Sequence, residues 1–274
     1  MKIKRKLGIY ANCLQGVSPI NALELIRNAG FECYFLMWTT PEKIAAAKKR
    51  GDELGLSCEF IHAPFFDINT MWEEGDAYLR LYNELLACIK AAGENNVPSV
   101  ILHLTSGWEP PCVSDVGFSR YDALVEYAAE RGVKLAFENM RVLAHVAIMK
   151  ERYRHTENVG FCFDCGHEHC FTKTIEWMHV FEDRVIATHI HDNFSRGERN
   201  ADKVDIHLLP FDGTYDYGRM MRQLDEYGID VPLMLEVVNY TRYEGGEPRL
   251  VYPDMTNEEF LATAYERIKR ISEM

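Results

Sequence analysis

No apolar run in this 274-residue chain approaches the ~20 residues that a bilayer-crossing helix requires. The basic start, Met1-Lys2-Ile3-Lys4-Arg5-Lys6, is not followed by an unbroken apolar stretch, since Asn12, Gln15 and Ser18 interrupt it. A secretory leader is therefore not expected, and the location expected is cytoplasmic. The first turn, Gly8-Ile9-Tyr10-Ala11-Asn12, lacks the G-x-G-x-x-G spacing of a dinucleotide-binding fold. No repeat of 20–50 residues, low-complexity tract or evident linker occurs, so a single domain spanning 1–274 is expected. Positive charge is also scarce: 30 Lys and Arg stand against 42 Asp and Glu, a net charge of −12. Scattered cations make a nucleic-acid partner an unfavourable expectation, because gripping phosphate backbones takes a basic face.

Eight cysteines are present, several within apolar runs (Cys33, Cys58, Cys162). Cys162 and Cys165 form a C-x-x-C, but no second pair stands at a zinc-ribbon spacing. Along an extended strand Cys162 points with Asp164 and away from Cys165. Buried free thiols are the expectation.

Short β-rich apolar runs alternate with longer amphipathic stretches. Strands are expected at Lys6–Ala11, Cys33–Trp38, Ser57–Phe65, Ser99–Leu104, Lys134–Met140, Val159–Asp164, Val185–His191 and Val231–Val237. Helix starts are marked by Ser18-Pro19 and Thr40-Pro41, and by a capping box at Thr256 and Glu259. Gly30, Gly55 and Gly132 mark helix ends, and long helices are expected from about Glu73 to Gly93 and within Asp212–Gly228. Eight strands alternating with about eight helices predict an α/β fold, a (β/α)8 TIM barrel with a closed parallel sheet. An open doubly wound sheet is the alternative.

Parallel strands are buried on both faces and should be almost continuously apolar. Strands three to eight break that rule near their C-terminal ends, at His62, His103, Glu138, Asp164 (with His167 three residues on), His189 and Glu236. Each residue alone reads as a hydrogen-bonded or ion-paired rim residue. Together they place metal-type ligands at one height on six consecutive strands. Such carboxylates would repel one another unless a divalent cation were shared. Imidazole with carboxylate and no thiolate suits Zn2+, Mn2+ or Fe2+. Asp205-Ile206-His207 adds two side chains on one face of an extended loop, as a metal site, a grip on substrate hydroxyls or a loop salt bridge. His145, His155 and His179 are expected at the surface of helices, and the roles of His169 and His191 stay open.

In these residues the chain resembles the xylose isomerase-like barrel superfamily, which holds sugar and sugar-phosphate isomerases and epimerases and the endonuclease IV family. The resemblance covers nearly the whole chain and is carried by I-H-A-P-F (His62), L-H (His103), F-E-N-M (Glu138), F-D-C-G-H (Asp164, His167), H-I-H-D-N (His189), D-I-H-L-L-P (Asp205, His207) and L-M-L-E-V (Glu236). It implies one divalent metal (Mn2+, Zn2+ or Co2+) on Glu138, Asp164, His189 and Glu236. The two glutamates would double as proton-transfer groups through a metal-stabilised enediolate, with His167 on a small-molecule sugar or sugar phosphate. The endonuclease branch implies three zinc ions and an abasic-site DNA substrate, with His62, His103, His167, Asp205 and His207 as further ligands. Leu209-Pro210-Phe211-Asp212-Gly213 and His-Ile-His-Asp-Asn depart from that branch's Gly-Glu-Gly and His-Leu-Asn-Asp, and the acidic balance also favours the sugar branch.

Trp38, Phe65, Phe66 and Trp108 stand in strand-end loops, either to stack on a sugar or to pack the loops. Arg196 or Arg199 would hold a substrate oxygen or phosphate. The loop 239–255 is a candidate lid or contact in a homo-oligomer.

Overall fold

A computed structural model describes residues 3–196, 205–241 and 249–274. Eight parallel strands form the sheet: β1 (Leu7–Tyr10), β2 (Cys33–Met37), β3 (Ser57–His62), β4 (Ser99–Leu102), β5 (Lys134–Glu138), β6 (Val159–Asp164), β7 (Val185–His189) and β8 (Leu233–Leu235). Each pairs with its sequence neighbour, and β1 also pairs with β8. The last seam, between β7 and β8, is closed by Ile190, which donates its N–H to the Met234 carbonyl (2.8 Å) and accepts from Glu236 N (3.0 Å). The result is a nearly closed (β/α)8 barrel.

β6 has the bounds expected of it and the other strands are shorter than their apolar runs suggest, with His62, Glu138, Asp164 and His189 as the last residues of β3, β5, β6 and β7. Helices α1 (Pro19–Ala29), α2 (Pro41–Glu53), α3 (Leu79–Glu94), α4 (Asp115–Ala129) and α5 (Leu143–Arg152) follow the first five strands. Two short helices, α6 (Cys165–Phe171) and α7 (Trp177–Phe181), follow β6, and α8 (Tyr217–Glu226) and α9 (Asn257–Ser272) complete the outer ring. Ser18 and Thr40 cap α1 and α2, and Thr256 with Glu259 forms a two-way capping box on α9.

The helix expected from about Glu73 begins instead at Leu79, after a 3-10 turn at Ile68–Trp72. Gly75, at φ 88°, is outside helical backbone and breaks the run, and Arg120 ties the segment down by collecting the carbonyls of Thr70, Met71, Glu73 and Gly75 at 2.7–3.2 Å. His155 lies in a turn and, with His179, is exposed. His145 corrects the surface expectation: it is buried, its ring edge-on to Trp72 and its Nε2 2.9 Å from the Pro111 carbonyl. Of the 239–255 loop, residues 242–248 lie outside the described residues, and Tyr240–Thr241 (β9) pairs antiparallel with Arg249–Leu250 (β10).

Two apolar layers result. One lies between strands and helices. The other fills the barrel, where Phe35, Phe60, Ile101, Ala136, Cys162, Ala187 and Met234 pack together. Cys162 belongs to the inner layer and Cys165 to the outer one, and all eight cysteines are free, with only Cys112 exposed. No helix among the described residues is long and apolar enough to cross a membrane.

Candidate metal centre and active site

Side chains alternate along a strand, so the residue two places beyond an inward one is also inward. Phe60, Ile101, Ala136, Cys162, Ala187 and Met234 are the inner plug. Two places on from each stands His62, His103, Glu138, Asp164, His189 or Glu236. The polar ring is thus the next layer of the same core, at the C-terminal ends of the strands. His62, His103, Glu138 and Glu236 of this ring line a 350 Å³ pocket with His167, Asp205 and His207, while Asp164 and His189 are fully buried. A 400 Å³ cavity at the opposite end of the barrel, lined by Glu59, Lys134, Asp183 and Asp230 among others, contains no histidine and lacks this chemistry.

Ligand-type atoms of Glu138, Asp164, His189 and Glu236 all lie within 4.8 Å of one another. His189 Nδ1 stands 3.1 Å from Glu138 Oε1, 3.4 Å from Glu236 Oε2 and 3.7 Å from Asp164 Oδ2. The four come from β5, β6, β7 and the end of β8, so the two glutamates are three strands apart. They occupy one half of the barrel mouth and not diametrically opposed strands. A second group joins His62 and His103 to Glu138, with Nε2–Oε2 distances of 3.3 and 3.0 Å. A third joins His191, Asp205 and His207.

Burial pushes the Glu138 carboxyl up, but His189, His103 and His167 outweigh it and hold it well below the usual range. Burial likewise opposes ionisation of Asp205, and His207 and His167 reverse the balance. Burial lowers His207, yet Asp205 and Glu236 raise it to about 10. His189 is pulled down by burial and is nonetheless held well above its usual value. Its partners include Cys162, but burial pushes that thiol to about 12, so it is neutral near pH 7. The carboxylates of Glu236 and Glu138 are then the effective cause.

The residues fit a divalent cation. Asp164 Oδ2 and Asp205 Oδ1 are buried and have no hydrogen-bond partner among the described residues, although each faces imidazole nitrogen. Metal–ligand bonds of ~2.1 Å place neighbouring ligand atoms roughly 3–4 Å apart, which is the spacing seen here.

Second-layer groups orient the ligands. Asn139 replaces a ladder rung: its Nδ2 donates to the Asp164 carbonyl (2.8 Å) and its Oδ1 accepts from Asp164 N (2.7 Å). Asp164 also caps α6, accepting from His167 N at 2.6 Å. His167 Nδ1 then stands 3.2 Å from Glu138 Oε1, and its Nε2 3.4 Å from Asp205 Oδ2. Asp192 accepts from the N–H groups of Asn193, Phe211 and Tyr215, which ties down the loop carrying Asp205 and His207.

His191 joins the ring, a role the sequence left open. It is fully buried, stacks on His207 at 4.0 Å and places Nε2 3.2 Å from Asp164 Oδ1. A Cβ on Gly166 would fall 1.9 Å from its Cε1, so glycine makes its room. The available signal was the H-I-H spacing, since His189 and His191 share a strand face.

Trp38 does not reach the pocket. It follows Leu36 onto the outer face and donates Nε1–H to Glu84 Oε2 (2.7 Å). Phe65 does line the pocket, stacked on His103 at 4.4 Å, while Phe66 lies under Arg80. Trp108 is at the rim, 46% exposed, beneath Arg196 at 4.4 Å. Arg199 lies outside the described residues. Arg141, which the sequence reading passed over, lines the pocket.

A family model described as a xylose isomerase-like TIM barrel matches residues 22–263. The uncharacterized protein y4fM of Sinorhizobium fredii is 32% identical over 126 residues, which is 43% of this chain and 38% of that protein, so the match spans well under half of the relative. The uncharacterized protein MJ1311 of Methanocaldococcus jannaschii is 23% identical over 85% of this chain and 84% of its own length. Among solved structures, D-psicose 3-epimerase with D-tagatose from Clostridium cellulolyticum H10 superposes with a TM-score of 0.76 at 13% identity, covering 98% of this chain and 100% of that one. A likeness at that identity establishes the shared fold.

Proposed function

The chain belongs to the xylose isomerase-like TIM barrel family, and from that premise we propose that it is a metal-dependent sugar isomerase or epimerase. The observation that carries the reading is the convergence of two glutamates, an aspartate and a histidine within 4.8 Å at the barrel mouth. Glu138, Asp164, His189 and Glu236 would hold the ion. When bound, a divalent ion supplies Lewis acidity toward the carbonyl and adjacent hydroxyl oxygens of a ketose. Glu138 and Glu236 then act as base and acid: one carboxylate takes the proton from the carbon beside the carbonyl, the other returns one. Return at the neighbouring carbon gives isomerisation, and return on the other face gives epimerisation. His167, against Asp205 and Glu138, orients substrate hydroxyls. Phe65, over His103, offers a ring face to the sugar's C–H groups.

The test is Glu236→Gln, followed by hydrogen–deuterium exchange of the ketose in D2O. The variant should retain bound metal and lose exchange by about a hundredfold or more, as expected for a positioned acid–base group. Exchange at the wild-type rate would rule out the two-glutamate chemistry.

A three-zinc abasic-site endonuclease is the second reading, for which two of the further groups, His62–His103–Glu138 and His191–Asp205–His207, offer ligand atoms. Net charge −12 argues for the sugar. Elemental analysis beside nicking of an abasic duplex separates the two: three zinc ions with nicking would support the endonuclease.

A further inference from the structure

Arginines that lie against aromatic rings in this barrel mostly have a second task. Arg120 gathers four backbone carbonyls, Arg152 pairs with Asp122, Arg131 holds Glu130, and Arg184 binds the Thr156 and Val159 carbonyls. Arg80 and Arg270, stacked on Phe66 and Phe211, are exposed and have water for their N–H groups. Arg141 fits neither description. It is half-buried and lies 3.8 Å over Phe171, yet it has no hydrogen bond or ion pair among the described residues. A guanidinium presents five N–H donors in a planar fork, and those of Arg141 are open to the pocket and not shut away among apolar groups.

Its position gives those donors a use. Arg141 is three residues beyond Glu138 and is the only Lys or Arg among the described residues that line the 350 Å³ pocket. The Phe171 ring beneath it is stacked on His167 at 5.1 Å. The guanidinium therefore stands two layers above the ligand ring, on the rim. On the far side of the same shelf, Trp108 packs edge-on against Phe171 (5.7 Å) and carries Arg196 at 4.4 Å. Two cations thus lie over one aromatic shelf, and the nearer, Arg141, lines a pocket that also presents the carboxylates of Glu138, Asp205 and Glu236. An anionic group of a substrate is repelled by those carboxylates and attracted to Arg141 at the rim.

We infer that the substrate carries a terminal anionic group, a phosphate or a carboxylate, received by Arg141 at the rim while the reacting carbons lie between the glutamates. This inference rests on the sugar reading and names its substrate class. The fork of Arg141 matches two oxygens of either anion side by side, with Phe171 fixing its plane. Arg196 adds a second positive charge across Trp108.

Calorimetric titration of the metal-loaded full chain tests this with three probes: a neutral ketohexose, the same sugar with a terminal phosphate, and the corresponding keto-uronate. A charged probe should bind about tenfold or more tighter than the neutral one, the usual weight of a charge-assisted contact. Which charged probe binds tighter identifies the anion. Arg141→Met should erase the difference, and Arg141→Lys should restore only part of it, keeping the charge without the fork. The inference is overturned if the neutral sugar binds as tightly as both charged ones. It is equally overturned if Arg141→Met weakens all three alike, or if the preference survives in Arg141→Met. Proton exchange on the same probes reports the reaction separately: an Arg141-dependent preference without exchange keeps the subsite and rejects the isomerase.

Discussion

Glu138 meets imidazole from four directions: His62, His103, His167 and His189 all stand within 3.0–3.3 Å of its oxygens. A buried carboxylate so surrounded stays ionised, which keeps it ready both as a ligand and as a base. His191 makes a different point, because its place depends on a missing atom. Gly166→Ala would put Cβ within 1.9–2.5 Å of the imidazole and displace it from Asp164. Overpacking of this kind costs about 1–3 kcal/mol, so the urea midpoint should fall. An unchanged midpoint would mean that His191 moves at no cost.

Among elements, the segment from Asp205 to Tyr215 is the one whose backbone is least at ease. His207 and Phe211 hold left-handed backbone angles of φ 47° and 74°, unusual for residues with a Cβ. Asp192 makes the conformation tenable by accepting the Phe211 and Tyr215 N–H groups, and Gly213 passes where a Cβ would strike Asp192 Oδ1 at 2.3 Å. Asp192→Ala strands those donors and should cost about 2–3 kcal/mol. Turnover should fall further than metal content, because Asp205 and His207 move while Glu138, Asp164 and His189 remain on strands. Equal loss of both would place Asp192 in support of the whole ring. By contrast, Thr256→Ala removes only a cap on an outer helix and should cost about 1 kcal/mol in thermal unfolding, with turnover unchanged.

For the molecule as a whole, the ring couples stability, metal and pH. His207 in the metal-free chain is raised from 6.5 to about 10. Its stabilising contribution is therefore complete below about pH 6.5 and is lost as pH climbs through 10. The depressed carboxylates of Glu138 and Asp205 act in the other sense, contributing above their ordinary range and losing that contribution as pH falls through their folded-state values. Metal-free protein should accordingly lose melting temperature between pH 7 and 10, measured by circular dichroism. His207 is a quarter exposed, so solvent screening moderates its share. Metal uptake must expel the His189 proton, so apparent affinity should rise about tenfold or more from pH 6 to pH 8. A pH-independent affinity would remove His189 from the ligand set. Chelation should lower the melting temperature, since an ion that binds only the folded chain stabilises it by mass action.

Much of this was written in the chain itself. Short continuous apolar runs ending in His, Asp or Glu pointed to the barrel and the ring, because parallel strands buried on both faces carry such endings at one height. Caps at Ser18, Thr40 and Thr256 determined where helices begin, because they act within one turn. What tertiary structure decided depends on distant partners. Trp38 faces outward to Glu84 because strand parity, set by where β2 pairs, turns it from the pocket. His145 is buried because Trp72 arrives from another loop. The segment before α3 is held by Arg120, more than forty residues away in sequence. Arg141 and His191 gained their places only when Phe171 and Gly166, carried on α6, were folded against them. Local chemistry is legible along the chain, whereas contacts between elements exist only once the barrel closes.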